Sequence, residues 1–114
     1  MKKTLSFVTA LLFSITVNAV TWVEIDDASK LLWQMTSDGT VWFRNLNEFD
    51  SAQGGCCYAY MLDTTTPGGK VMWSTILAKM AAHKRITLGF PTIGSNTSIQ
   101  TLTYIGRHKH GTNE

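Results

Sequence analysis

The chain has 114 residues, of which 44% are hydrophobic, 16% charged and 11% aromatic, with ten Lys and Arg against eight Asp and Glu. That length admits one domain and leaves no room for two. The hydrophobic fraction excludes a disordered chain, and a net charge of +2 is too small to announce nucleic-acid binding.

Residues 1–19 read as an export signal. Met1-Lys2-Lys3 is a positive n-region, Leu5 to Val17 is an apolar run broken only by Ser and Thr, and Val17-Asn18-Ala19 suits signal peptidase. The run is shorter than the ~20 apolar residues of a membrane anchor. The mature chain is therefore expected to begin near Val20, to be about 95 residues long and to be periplasmic or secreted. Lys2 and Lys3 leave with the signal, so the mature domain is close to neutral. Residues 20–106 are read as one domain and 107–114 as a polar tail.

Trp22-Val23-Glu24-Ile25 is a first short strand, and Leu31 to Met35 a second. Asp38-Gly39 then separates that strand from Val41-Trp42-Phe43-Arg44, and Asp-Gly between two β-prone runs is a strong hairpin signal. A two-residue turn there would set Met35 opposite Trp42 and Trp33 opposite Arg44 on one face, with Val41 and Phe43 on the other. Asn45 to Gly55 is polar and ends in glycine, so it is expected to be a loop. Cys56 to Leu62 is a further strand. After the Thr64–Gly69 loop, whose Thr66 or Pro67 suits a helix start, the period turns helical from Lys70 to His83. Trp73, Ile76, Leu77 and Met80 form its apolar stripe, and His83, Lys84 and Arg85 crowd its negative end. Ile86 to Phe90 alternates and is stopped by Pro91; Ile99 to Ile105 alternates again. One helix cannot cover both faces of a five-strand sheet. The expected fold is α+β and mostly β: a small, strongly curved barrel of five to six strands, with the helix of about 70–83 plugging one opening before the last two strands.

Two features stand out against this frame. Cys56 and Cys57 are adjacent, in a chain expected to enter an oxidising compartment. Neighbours in a strand point to opposite faces, so a bridge between distant segments is not available to them as a pair. A vicinal disulfide, an intermolecular bridge, and one buried with one half-exposed thiol all remain open. A zinc site is not expected, since structural zinc wants paired ligands two to four residues apart. The second feature is the density of aromatic residues. Trp73, Ile86, Leu88 and Phe90 are assigned to the core. Trp33, Trp42, Tyr58 and Tyr60 are hard to bury together in a small barrel, and with Arg44 they are the candidate ligand-binding residues.

Catalysis finds little support. His-Glu-x-x-His, Gly-x-Ser-x-Gly and a phosphate-binding loop are all missing from the sequence. Asp26-Asp27 and Glu48/Asp50 are read as solvated loop carboxylates, and His108 with His110 as a poor metal site. No catalytic residue, metal or cofactor is assigned, and an enzyme is not expected.

The export signal, the size of the mature domain, and a central helix (Lys70–His83) running into a strand, a polar loop (Pro91–Ser98) and a last strand (Ile99–Ile105) resemble the B subunits of AB5-type bacterial toxins. The likeness is one of pattern over most of the mature chain. It implies an OB barrel, a homopentameric ring built by pairing edge strands, and binding of cell-surface glycans. Many such subunits carry a disulfide between distant strands, which Cys56-Cys57 cannot supply, and no family glycan-site residue is matched here. Two readings follow: a secreted non-enzymatic module that binds a glycan or a protein partner as a homo-oligomer, or a monomeric periplasmic interaction protein such as a hydrolase inhibitor or an accessory factor of an envelope complex.

Overall fold

The computed structural model describes residues 20–108; the expected export signal lies outside them, as does His110. Among the described residues, seven strands, one long helix and a short one follow in the order β1 (Thr21–Ile25), β2 (Trp33–Met35), β3 (Thr40–Phe43), α1 (Leu46–Phe49), β4 (Tyr60–Asp63), α2 (Pro67–Ala81), β5 (Ile86–Phe90), β6 (Gln100–Thr101) and β7 (Tyr104–Gly106). They make two sheets, β1-β5-β7 and β2-β3-β4-β6. The fold is thus α+β and β-rich, and the strand ladders do not close into one barrel.

Helix α2 starts three residues before the apolar period does. Thr66 is its N-cap, with Oγ1 accepting from the Gly69 amide at 2.9 Å, and Pro67 opens the first turn where its missing N–H costs nothing. The helix ends in a Schellman pair: His83 N donates to Met80 O, and Lys84 N to Lys79 O. His83 takes the left-handed conformation at φ 54° that this cap requires. Trp73 and Ile76 are buried, whereas Leu77 is 39% exposed and leaves the expected stripe.

The inner faces of both sheets meet the helix in one core. Val23, Ile25, Ile86, Leu88 and Phe90 come from one sheet, and Val41, Phe43, Tyr60 and Leu62 from the other. Phe90 joins them, packing edge-on against Phe43 at 6.3 Å and tilted on Tyr60 at 4.6 Å. Burial of such side chains contributes roughly 1.5–3 kcal/mol each relative to exposure.

The first hairpin departs from expectation by one residue. Thr36 N donates to Thr40 O at 2.9 Å, so the loop is the three residues Ser37-Asp38-Gly39, with Gly39 at φ 86° closing it. Trp33 therefore pairs with Phe43, Gln34 with Trp42, and Met35 with Val41. A one-residue slip moves every side chain to the opposite face. Trp33 and Met35 consequently share the inner face with Val41 and Phe43, and Trp42 shares the outer face with Gln34.

Two more segments differ. The expected loop 45–55 contains α1, and the strand expected from Cys56 begins only at Tyr60. The last expected strand is split at Leu102-Thr103. Leu102 N donates to Met61 O at 2.8 Å in one sheet, and Thr103 N to Gly89 O at 3.0 Å in the other. The chain crosses between sheets there, with β6 parallel to β4 and β7 antiparallel to β5. Past Gly106 the chain stays on the body: Thr87 Oγ1 donates to His108 O, and Tyr104 Oη lies 2.6 Å from His108 Nε2.

Candidate functional site

The outer face of the four-stranded sheet gathers three of the candidate side chains. Trp42 sits at the middle of β3, half-buried, opposite Gln34 on β2 and Met61 on β4. Directly opposed residues share a face, so these three form one row. The Tyr58 ring, 50% exposed, meets Trp42 edge-on at 5.3 Å and 85°. Arg44, two residues beyond Trp42, projects on the same side. Its Nη1 donates to Gln34 Oε1, and its Nη2 reaches Cys57 Sγ at 2.9 Å and Cys56 Sγ at 3.4 Å. Among the described residues no carboxylate forms an ion pair with Arg44; those of Arg85 are with Glu24 and Asp26. The result is a surface with two aromatic rings, a guanidinium held in place, and an amide, suited to a ligand with apolar faces and polar groups around them.

Cys56 and Cys57 lie in the irregular segment before β4, joined by a cis peptide bond, with their sulfurs side by side. Cys56 is exposed and Cys57 half-buried. The segment is anchored from below by Tyr60. Its hydroxyl donates to Gln53 Oε1 at 2.6 Å and accepts from Gly54 N at 3.1 Å and Gly94 N at 3.0 Å. Gln53, itself buried, donates in turn to Thr21 Oγ1 and Asp50 Oδ2. The approach is close: a Cβ on Gly94 would stand 2.5 Å from Ala59 O.

Of the five residues expected to bind ligand, Trp42, Arg44 and Tyr58 come together and two do not. Tyr60 is 1% exposed and belongs to the core, as an anchor for the cysteine segment. Trp33 is 40% exposed but lies on the inner-face side, edge-on to Trp73 at 4.9 Å. Gln34, which is not among the five, stands opposite Trp42 because the turn Ser37-Asp38-Gly39 has three residues.

Several carboxylates elsewhere accept hydrogen bonds from close neighbours in the chain. Asp27 caps the 3₁₀ turn Ala28–Lys30, and the Ser29 hydroxyl, then the Ser29 amide, hold its carboxyl below the usual value. Thr36 and Thr40 do the same for Asp38, and Thr65 for Asp63. Glu48 accepts from Asn45 Nδ2 at 2.9 Å. Among the described residues no three His, Cys, Asp or Glu are grouped to hold a metal ion, and no helix is long and apolar enough to cross a membrane. No protein-family model matches the chain, and no curated protein or solved structure matches it.

Proposed function

We propose that the chain is an exported, non-enzymatic binding module that takes a glycan on the outer face of β2-β3-β4, in the manner of a toxin-type B subunit with an OB-like barrel. The observation that carries this reading is the open Trp42–Tyr58 pair beside Arg44 and Gln34. Aromatic plates pack on the apolar faces of sugar rings while the guanidinium and amide serve hydroxyl or carboxyl groups. The crossing of Gln100–Gly106 from one sheet into the other supports the barrel reading, since strands that switch sheets make barrel corners. The short edge strands β2 and β6 are available for pairing with neighbouring copies in a homopentameric ring.

A protein partner is the second reading, that of a monomeric periplasmic interaction protein. Val71, 66% exposed, and Leu77, 39% exposed, favour it, as apolar groups that helix α2 leaves at the surface on two different sides. Two measurements on the mature protein separate the readings. Light scattering on a sizing column is expected to give about five times the monomer mass for the ring, and a clean monomer removes it. A glycan array is expected to bind the wild type and to lose signal with Trp42→Ala at unchanged fold; unfolding of that variant, or undiminished binding, sinks the site.

A further inference from the structure

We propose that Cys56–Cys57 is a reactive disulfide that exchanges with small thiols, with Cys56 the sulfur attacked and Cys57 the leaving sulfur, received by Arg44 as a thiolate. This goes beyond glycan binding and rests instead on the two sulfurs being bonded in the exported protein. Three observations carry it. The sulfurs lie side by side in an exposed segment. Access is unequal, because Cys56 is exposed and Cys57 half-buried. The Arg44 guanidinium is nearer Cys57, at 2.9 Å against 3.4 Å, and Gln34 holds it from its other side.

The chemistry follows from charge. A disulfide sulfur is neutral and a weak acceptor, so the guanidinium gains little from it. Once the bond is cut, the same contact becomes a charge-assisted hydrogen bond to a thiolate, which is about twice as strong as a neutral one. Arg44 therefore favours the products over the disulfide. A cation beside a thiol also lowers its pKa, and a thiol of lower pKa leaves faster. In the first step a thiolate RS⁻ attacks Cys56 Sγ: an S–S bond forms between them, the Cys56–Cys57 bond breaks, and its electron pair passes to Cys57 Sγ. In the second, another thiolate attacks the R sulfur of the mixed disulfide. It releases RSSR and the Cys56 thiolate, which takes a proton from water. The net change is one protein disulfide and two thiols giving a protein dithiol and RSSR.

The test uses the mature protein with its signal removed. Thiol titration after denaturation without reductant is expected to find no free thiol; two free thiols overturn the proposal. Brief exposure to glutathione, acid quenching and peptide fragmentation should place the adduct on Cys56. An adduct on Cys57, or an even division, overturns the assignment. In the reduced protein, alkylation of Cys57 should have its midpoint below the ordinary thiol value of about 8.5, and an ordinary midpoint removes Arg44 from the mechanism. Arg44→Gln should slow reduction by glutathione roughly tenfold at pH 7, and Arg44→Lys should restore part of the rate. Equal rates in all three proteins count against it. The adduct and alkylation readings need only the wild type, so they decide even if Arg44→Gln does not fold.

Discussion

The two sheets each carry an aromatic pair on the outer face, with nearly the same geometry and different surroundings. On β1-β5-β7, Trp22 and Tyr104 meet edge-on at 4.7 Å and 88°, flanking Gly89 in the paired row. His108 closes that face, its ring against Tyr104 and its carbonyl accepting from buried Thr87. On β2-β3-β4, Trp42 and Tyr58 meet at 5.3 Å and 85°, but no chain end folds over them among the described residues, and a guanidinium stands alongside. An aromatic pair is thus not by itself a site. One pair is used to cover a strand, and the other is left open next to charge.

Substitutions can break this comparison, and the largest effect should come from the support under the open face. Gly94→Ala drives a Cβ against Ala59 O and should cost about 3 kcal/mol in denaturant unfolding. Tyr60→Phe leaves the Gly54 and Gly94 amides and the Gln53 amide oxygen without their shared partner and should cost about 2 kcal/mol. Cysteine reactivity in Tyr60→Phe should rise, because the segment loses its anchor; unchanged reactivity would mean that β4 alone positions it.

The two tryptophans should then separate. Trp22→Ala should lower stability by about 2 kcal/mol and leave glycan-array binding as in the wild type. Trp42→Ala should cost about 1 kcal/mol of stability, the order of one aromatic pair, and abolish array binding. Equal losses of stability with no change in binding would make both faces structural.

A smaller effect is expected from His108→Ala, about 1 kcal/mol for the hydrogen bond between its ring and Tyr104 Oη, since the backbone carbonyl that accepts from Thr87 remains. Amide exchange should quicken in Ile86–Phe90 and Tyr104–Gly106 and stay the same in Thr40–Phe43. Exchange that quickens in both would show the sheets to be one cooperative unit.

The smallest effect is electrostatic and common to both sheets. Asp27, Asp38 and Asp63 accept hydrogen bonds from nearby hydroxyls and amides that hold their carboxyls below the ordinary value. The unfolded chain therefore binds more protons than the native one in that range, and stability rises with pH across it. The contribution is fully present above the unfolded carboxylate value of about 3.9 and is lost as pH falls through the lowered native values. An acid titration of the unfolding midpoint should be flat above about pH 5 and fall below about pH 4. A fall that begins near neutrality would assign the dependence to histidine instead.

Local signals in the sequence reached some of this. Strand Ile86–Phe90 is legible because alternation up to a proline stop is a property of consecutive residues. Helix α2 is legible from Trp73, Ile76 and Met80, and its start from Thr66-Pro67, since capping and period act within a few residues. The Asp-Gly signal marked the hairpin correctly, but one residue of loop length exchanged its faces. That exchange set Trp33 on the face opposite Trp42 and placed Gln34 beside Trp42.

By itself, then, the sequence determined the α+β class, the helix between the strands, the core assignment of Trp73, Leu88 and Phe90, and the aromatic and cysteine residues from which a site could be built. Only the tertiary structure decided which of those residues meet. Tyr60 turned inward because its hydroxyl satisfies amides 6 and 34 residues away in the chain, and Arg44 found the cysteine sulfurs across a loop of 12 and 13. Contacts at such separations depend on register and sheet pairing, which are settled by packing of the whole core and not by any stretch of neighbouring residues.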